Sequence, residues 1–349
     1  MTTVANNSLR CVQVLNVALH EILEARPEVI LIGEDLDDPY GGAFKVSKGL
    51  STSFPDQVLC TPISESAIFG IACGLSLRGF RPMVEVMFGD FLTLGLDQVI
   101  NHISPFQDTC KGRTQMPLVV RIPMGGGRGY GPTHSKSLET LLLGVPNILV
   151  AVASQYHDLS AMLKAAVASD TPVFFIENKQ MYAQFNERHV KGWLNMFQCR
   201  EGQGPFPSIT LSPVRFEPAM WTIATYGGSA PLAIRAARSL MLEHEIPCEV
   251  VIVGSLQPLD STSVKESVHR TGALITLEEG VPIAGFGAEL VSKLMPSVWG
   301  KLREAPRRIG ALPVSLPAAP SLEQHVLPNW GDVMDAVLSK PGRWSAFND

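Results

Sequence analysis

Hydrophobic positions along the chain follow two alternating rhythms. Near the N-terminus, Val12, Leu15, Leu19, Ile22 and Leu23 recur at the three- and four-residue spacing of one helical face, and Pro27 stops that helix. Val29-Ile30-Leu31-Ile32 then runs into Gly33 without a polar break, as a short buried strand does. The alternation continues with a helix over 65–78, a strand over 82–87, a helix over 92–103, a strand over 117–122, a helix over 158–167 and a strand over 173–176. Buried strands separated by helices predict a parallel sheet with helical layers on its faces.

From 184 to 218 the rhythm dissolves. Gly202, Gly204, Pro205, Pro207 and Pro213 punctuate this stretch, which reads as an interdomain linker. A second alternating unit opens at Trp221-Thr222-Ile223-Ala224-Thr225-Tyr226. Gly227-Gly228 turns into a helix over 231–243, followed by a strand over 248–253, a helix over 261–269, a strand over 273–277 and a helix from Phe286. The proline-rich run from Pro306 to Pro328 reads as a surface connection before a last helix around 332–338. The expected fold class is therefore α/β in two domains, 1–183 and 219–349. Each is a mostly parallel sheet flanked by helices, with 184–218 as the linker.

Bulk properties narrow the function classes. With 349 residues the chain is long enough for two substantial cores. Apolar residues make up 46% and charged ones 17%, which suggests that partners cover part of the surface. A net charge of −5 and the lack of a basic run argue against nucleic acid. The six cysteines show neither metal-ligand nor redox spacing, and Cys60 and Cys73 read as core filler, usage that fits a reducing cytoplasm. Neither a signal peptide nor a membrane span is expected.

The most informative run is Glu65-Ser66-Ala67-Ile68-Phe69-Gly70-Ile71-Ala72-Cys73-Gly74. It places one carboxylate at the mouth of an apolar, small-residue helix. One reading is helix capping: Ser64 caps, and the negative charge suits the positive end of the dipole. The other is a functional carboxylate at a tight subunit contact, because Gly70 and Gly74 lie one turn apart and admit another backbone. The residues alone leave both open. The glycine-rich loop Gly125-Gly126-Gly127-Arg128-Gly129-Tyr130-Gly131-Pro132 would let the backbone pass close to a ligand, but it lacks dinucleotide-fingerprint spacing. Glu34 and Asp35 follow a strand end, where α/β sites commonly lie, although such an acid also caps turns. Asp90 reads as the N-cap of the helix that follows it.

Longer stretches carry a family resemblance. They are Gly33-Glu34-Asp35 with Tyr40-Gly41-Gly42-Ala43-Phe44-Lys45-Val46, Thr61-Pro62-Ile63-Ser64-Glu65, Gly79-Phe80-Arg81-Pro82, Asp97-Gln98-Val99-Ile100-Asn101, Thr133-His134-Ser135, and Gly285-Phe286-Gly287-Ala288-Glu289. In this order they resemble the beta subunit of thiamine-diphosphate-dependent 2-oxo acid dehydrogenases of the pyruvate and branched-chain type, in the transketolase-like superfamily. The resemblance implies a pyrimidine-binding domain followed by a transketolase-like C-terminal domain. It implies that Glu65 is the buried carboxyl that shares a proton with the cofactor's aminopyrimidine and promotes its imino tautomer. It also implies that Phe91 stacks on that ring, that Ile63 packs beside it, that Glu34 joins a relay of acids, and that His134 handles charge or protons in acyl transfer.

Some members hold potassium through carbonyls at positions matching Leu118, Ala166, Val167, Ser169 and Thr171, although Ser169 and Thr171 depart from the usual side chains. A second departure is Val253-Gly254, where relatives often carry Asp, Leu and Arg; its loss is expected to alter an interface. The Gly-Asp-Gly motif that holds Mg²⁺ and the diphosphate is missing from this sequence. The resemblance therefore implies an alpha subunit that supplies those ligands in a heterotetramer. The expected reaction decarboxylates a small 2-oxo acid and passes the acyl group to a lipoyl acyltransferase core. Two alternatives stay open. One is a transketolase-like or acyloin-forming carboligase with no lipoyl complex, and the other is a non-catalytic structural or regulatory subunit.

Overall fold

The computed structural model describes residues 9–187, 195–214, 218–340 and 342. They group into two compact units. The first holds the described residues up to Met124 and those from Leu141 onward to 187. The second holds Gly125–Thr140 and the described residues from 195 on. The segment 125–140, expected within the first domain, thus belongs to the second unit.

In the first unit the elements run α1 (Cys11–Ala25), β1 (Val29–Gly33), α2 (Leu50–Ser53), β2 (Val58–Cys60), α3 (Glu65–Leu77), β3 (Arg81–Glu85), α4 (Leu92–Gln98), α5 (Phe106–Thr109), β4 (Val119–Met124), β5 (Leu149–Val152), α6 (Leu159–Ala168) and β6 (Val173–Asn178). Its strands lie in the order β5-β6-β4-β3-β1-β2, and every neighbouring pair is parallel. Strands β1, β4 and β6 are buried along their whole length, as a sheet covered on both faces requires. Helix α1 buries Leu15, Leu19, Ile22 and Leu23 as the spacing predicts, together with Val14 and Ala18, while Val12 is only half-buried. Helix α4 is shorter than the expected 92–103, because a π-helical turn over Val99–Ile103 takes over. Asp90 does not cap α4; Phe91 holds that position and Asp90 lies inside a 3₁₀ turn, Gly89–Phe91.

The second unit contains β7 (Phe197–Glu201), β8 (Ile209–Pro213), β9 (Trp221–Tyr226), α7 (Ala230–His244), β10 (Cys248–Val253), β11 (Ser255–Gln257), α8 (Thr262–Thr271), β12 (Leu274–Leu277), α9 (Phe286–Val298), β13 (Arg307–Ile309), α10 (Pro320–Val326) and α11 (Trp330–Val337). Its sheet runs β13-β12-β9-β10-β8-β7. The first four strands are parallel, and β8 and β7 close the edge antiparallel. The stretch 184–218 is therefore not simply a linker, since β7 and β8 are strands of this sheet. Their signal was weak because β7 is an edge strand that buries only Phe197 and exposes its next four residues, so it carries no apolar run. The proline-rich run after Pro306 likewise holds β13 and α10. Pro320 lies in the first turn of α10, where its missing N–H costs nothing.

The Val253-Gly254 departure also has a local reason. A Cβ on Gly254 would stand 2.5 Å from the Pro207 carbonyl oxygen and 2.8 Å from that of Phe206. Gly254 is buried against that segment. All six cysteines are free thiols, and burial pushes Cys11 and Cys248 up to about 12, which keeps them protonated and unreactive.

Candidate active site

Helix α3 begins with Glu65 in its first turn, beyond the end of β2. Ser64 occupies the N-cap but makes no side-chain capping bond; its backbone N–H instead donates to Glu34 Oε1 at 3.2 Å. The cap is thus supplied by Glu34, which follows β1, and this frees Glu65 from the capping role. Glu65 is 6% exposed, and among the described residues its carboxylate makes neither a hydrogen bond nor an ion pair. A carboxylate left without a protein partner is available to a ligand.

The fold brings Glu34 and Glu65 together. With Ile68, Phe69, Val84, Glu85 and Val86 they line one crevice, which has no room even for a water molecule. Glu34 is 3% exposed; burial raises its carboxyl above the ordinary range, and the negative charge of Glu65 adds to that. Ile63 is 80% exposed, an apolar side chain open on the rim before α3. The exposed face of α3 carries Ala67, Ile71, Gly74 and Leu77. A Cβ on Gly70 would meet nothing closer than Gln98 Oε1 at 3.7 Å, and one on Gly74 would meet nothing within 4 Å. Among the described residues, no backbone uses the close approach that these glycines permit. Phe91 is half-buried and packs edge-to-face on Phe88, ring centroids 5.8 Å apart; Phe88 in turn packs on Phe44 at 5.3 Å.

Beneath the crevice lies a charged network that the sequence reading passed over. Arg121 on β4 donates from Nη1 to Glu85 Oε2 on β3 at 2.7 Å. It also forks onto Glu177 on β6, Nε to Oε1 at 2.8 Å and Nη2 to Oε2 at 2.9 Å. Tyr182 donates to Glu177 Oε2 at 2.5 Å, and Ser47 donates to Glu85. Burial opposes the charge on Arg121, but Glu177 and Glu85 outweigh it and hold the guanidinium firmly protonated. Gly42 sits over this cluster at φ 77°, because a Cβ there would stand 2.1 Å from Glu85 Oε1. The available signal was a charged residue within each of three largely apolar strands: Glu85 at the end of β3, Arg121 inside β4 and Glu177 next to the end of β6.

His134 belongs to the second unit, half-buried, with Thr133 Oγ1 2.8 Å from its Nδ1. The glycine loop before it is not open to a ligand in the way its composition suggests. Gly126 N–H donates to Glu279 Oε1 at 2.6 Å, and Gly127 and Gly129 N–H donate to the two Glu323 oxygens at 2.9 and 2.8 Å. The glycines make room for the chain around α10. A Cβ on Gly129, at φ 70°, would stand 3.0 Å from the Ala318 carbonyl oxygen.

The carbonyls of the expected potassium ligands already accept hydrogen bonds within the chain. Val167 O and Ser169 O already accept from Arg81 Nη1, at 3.0 and 2.8 Å. Leu118 O accepts from Val173 N–H at 2.9 Å, Ala166 O from Ser169 N–H at 3.2 Å, and Thr171 O from the Ser169 hydroxyl at 2.7 Å. Among the described residues, no three His, Cys, Asp or Glu side chains converge as a metal site.

Comparison with known proteins agrees with this layout. Residues 8–184 match the model of the transketolase pyrimidine binding domain, and 217–333 that of the transketolase C-terminal domain. The 3-methyl-2-oxobutanoate dehydrogenase subunit beta of Mycobacterium tuberculosis (strain ATCC 25618 / H37Rv) is 33% identical over 331 residues, covering 95% of this chain and 91% of the relative. The pyruvate dehydrogenase E1 component subunit beta of Leifsonia xyli subsp. xyli is 32% identical over 331 residues, covering 95% and 94%. A mitochondrial counterpart, subunit beta-2 from Oryza sativa subsp. japonica, is 32% identical over 326 residues, covering 93% and 84%. A solved structure titled split gene transketolase, inactive beta4 tetramer, superposes with a TM-score of 0.69 at 22% identity over 95% of this chain and 98% of that one, which speaks to the fold. The fold is thus that of a transketolase-like protein with a pyrimidine binding domain and a C-terminal domain. Within that class, the chain belongs to the family of 2-oxo acid dehydrogenase E1 beta subunits.

Proposed function

We propose that this chain is the catalytic beta subunit of a thiamine-diphosphate-dependent 2-oxo acid dehydrogenase and works only with an alpha subunit. The observation that carries the reading is Glu65: largely buried, unpaired among the described residues, and beside a second acid, Glu34, in one crevice. When bound, thiamine diphosphate supplies the carbanion chemistry that cleaves the 2-oxo acid. The chain's task is to orient and activate. Glu65 would hold a proton against a ring nitrogen of the aminopyrimidine. The half-buried Phe91 offers an aromatic face to the ring, and Ile63 covers its edge. Glu34, already biased toward its protonated form, stands next in line to exchange a proton with Glu65. His134 serves the acyl-transfer end of the reaction.

A crevice too tight for water cannot enclose a ring on its own. That supports a site completed by a partner which also supplies Mg²⁺ and diphosphate ligands. The exposed α3 face with its open glycines, and the exposed Ile63, are the surface assigned to that contact, in a heterotetramer of two alpha and two beta chains. The acyl group passes to a lipoyl acyltransferase core; the relatives themselves are named as dehydrogenase subunits. Those names favour the dehydrogenase reading over a carboligase or a non-catalytic subunit.

The test is Glu65→Gln in the co-expressed alpha–beta enzyme. Turnover should fall at least about 100-fold, the scale of lost proton-transfer catalysis, while the complex keeps its mass and melting midpoint. Full activity in that variant would remove Glu65 from the mechanism.

A further inference from the structure

His134 follows a stretch of chain with little stiffness of its own. Gly125, Gly127, Gly129 and Gly131 take positive φ, between 70° and 99°. Glycine visits such conformations freely and loses the most freedom when it is held in one of them. Left to itself, this loop would not fix the residue that comes after it. We propose that Glu323 is the positioning residue that does so: it clamps the loop and thereby sets where the His134 imidazole stands. The inference rests on the reading of His134 as the group that serves acyl transfer.

The clamp is a fork. Glu323 lies in α10, is 1% exposed, and accepts from Gly127 N–H through Oε1 at 2.9 Å and from Gly129 N–H through Oε2 at 2.8 Å. Two bonds from one carboxylate to alternate N–H groups fix both the place and the direction of the backbone. Packing follows the same line. A Cβ on Gly126 would stand 2.9 Å from Leu327 Cδ1, and one on Gly131 would stand 3.3 Å from Ala318 Cβ, so the loop lies against both ends of α10. From Gly131 the chain makes one turn, in which His134 N–H donates back to Gly131 O at 3.4 Å. Beyond His134, Ser135 is buried, and the Ser137 hydroxyl donates at 3.1 Å to Glu279 Oε1, the oxygen that also accepts from Gly126 N–H. Glu279 thus ties the base of the loop and Glu323 holds its tip, with His134 between the two anchors; all of them belong to the second unit. A side chain that merely covered this face of α10 would serve better if apolar, because a carboxylate is costly to bury. The two N–H groups are what this one answers.

Amide hydrogen exchange in the purified full chain tests the clamp itself. Glu323→Ala should speed exchange over 125–131 at least about 10-fold, the factor that one bond to a charged group is worth. Unchanged exchange there overturns the proposal. Kinetics in the co-expressed alpha–beta enzyme test the consequence. Acyl transfer to lipoamide should fall at least about 10-fold, while decarboxylation read with an artificial electron acceptor stays within about 2-fold. In a His134→Ala background the same substitution should cost nothing further, because Glu323 acts through His134. An acid that only holds the fold together would lower both reactions alike and would add to the His134 loss, and either result overturns the proposal. The underlying reading fails separately: if His134→Ala alone keeps full acyl transfer, the role of His134 falls and the proposal with it. Should Glu323→Ala fail to fold, Glu323→Gln, which keeps one acceptor, decides in its place. Faster exchange over 125–131 then supports the clamp, and unchanged exchange overturns it.

Discussion

Arg121 is 1% exposed at the middle of the first sheet, and its position shows what single residues contribute here. A buried charge is tolerable only when its partners complete it. Glu85 and Glu177 do so from the two neighbouring strands, so one side chain ties β3, β4 and β6 together under the Glu34–Glu65 crevice. Arg121→Met would leave two carboxylates buried without their counter-charge. The expected cost is about 3–5 kcal/mol, read from the urea midpoint and extrapolated stability of the full chain. A loss below about 1 kcal/mol would mean that the network is not what holds these strands. Glu65 is the opposite case: it is largely buried, and among the described residues no group pairs with its carboxylate. The first side chain serves the fold, and the second is the one proposed to serve a ligand.

Element ends hold the other acidic residues. Glu278 follows β12 and accepts N–H bonds from Phe286 at 2.8 Å and Gly287 at 2.9 Å, which fastens the start of α9. Burial pushes its carboxyl up to about 8, against the pull of the Gly287 N–H, and nearby Glu139 adds to the rise. The sign of the pH dependence follows. An ordinary glutamate near 4.5 ionises in the unfolded chain before Glu278 does in the folded one. Its contribution is fully present below about 4.5 and is lost as pH rises towards about 8. Glu278→Gln should therefore flatten the fall in stability between those pH values, although its absolute stability drops because one N–H loses its acceptor. Urea unfolding of both proteins at a series of pH values checks this, and parallel slopes would count against it. The glycine loop makes a related point. Its N–H groups look like a ligand cradle in sequence, but Glu279 and Glu323 fill it.

At the scale of the whole molecule, the chain carries one half of the proposed site. The purified chain alone should bind thiamine diphosphate weakly and show no turnover, and adding the alpha subunit should restore both; calorimetry and a decarboxylation assay measure this. Strong binding and turnover by the chain alone would sink the partnership. Much of the fold was legible in the sequence. Long buried strands such as Cys248–Val253 and striped helices such as Cys11–Ala25 carry their period in the residues themselves. So does the Glu65 run, whose lone acid in an apolar, glycine-bearing segment stands out before any coordinate is known. Edge strand β7, with one buried residue, could not announce itself that way. Nor could the chain of residues alone say that Glu34, thirty-one positions before Glu65, would supply its helix cap and share its crevice, or that Glu323 would hold the glycine loop before His134. Periodicity is local and survives in one dimension. Charge pairing joins strands distant in sequence, and only the folded sheet sets which carboxylates meet a guanidinium and which one is left for a ligand.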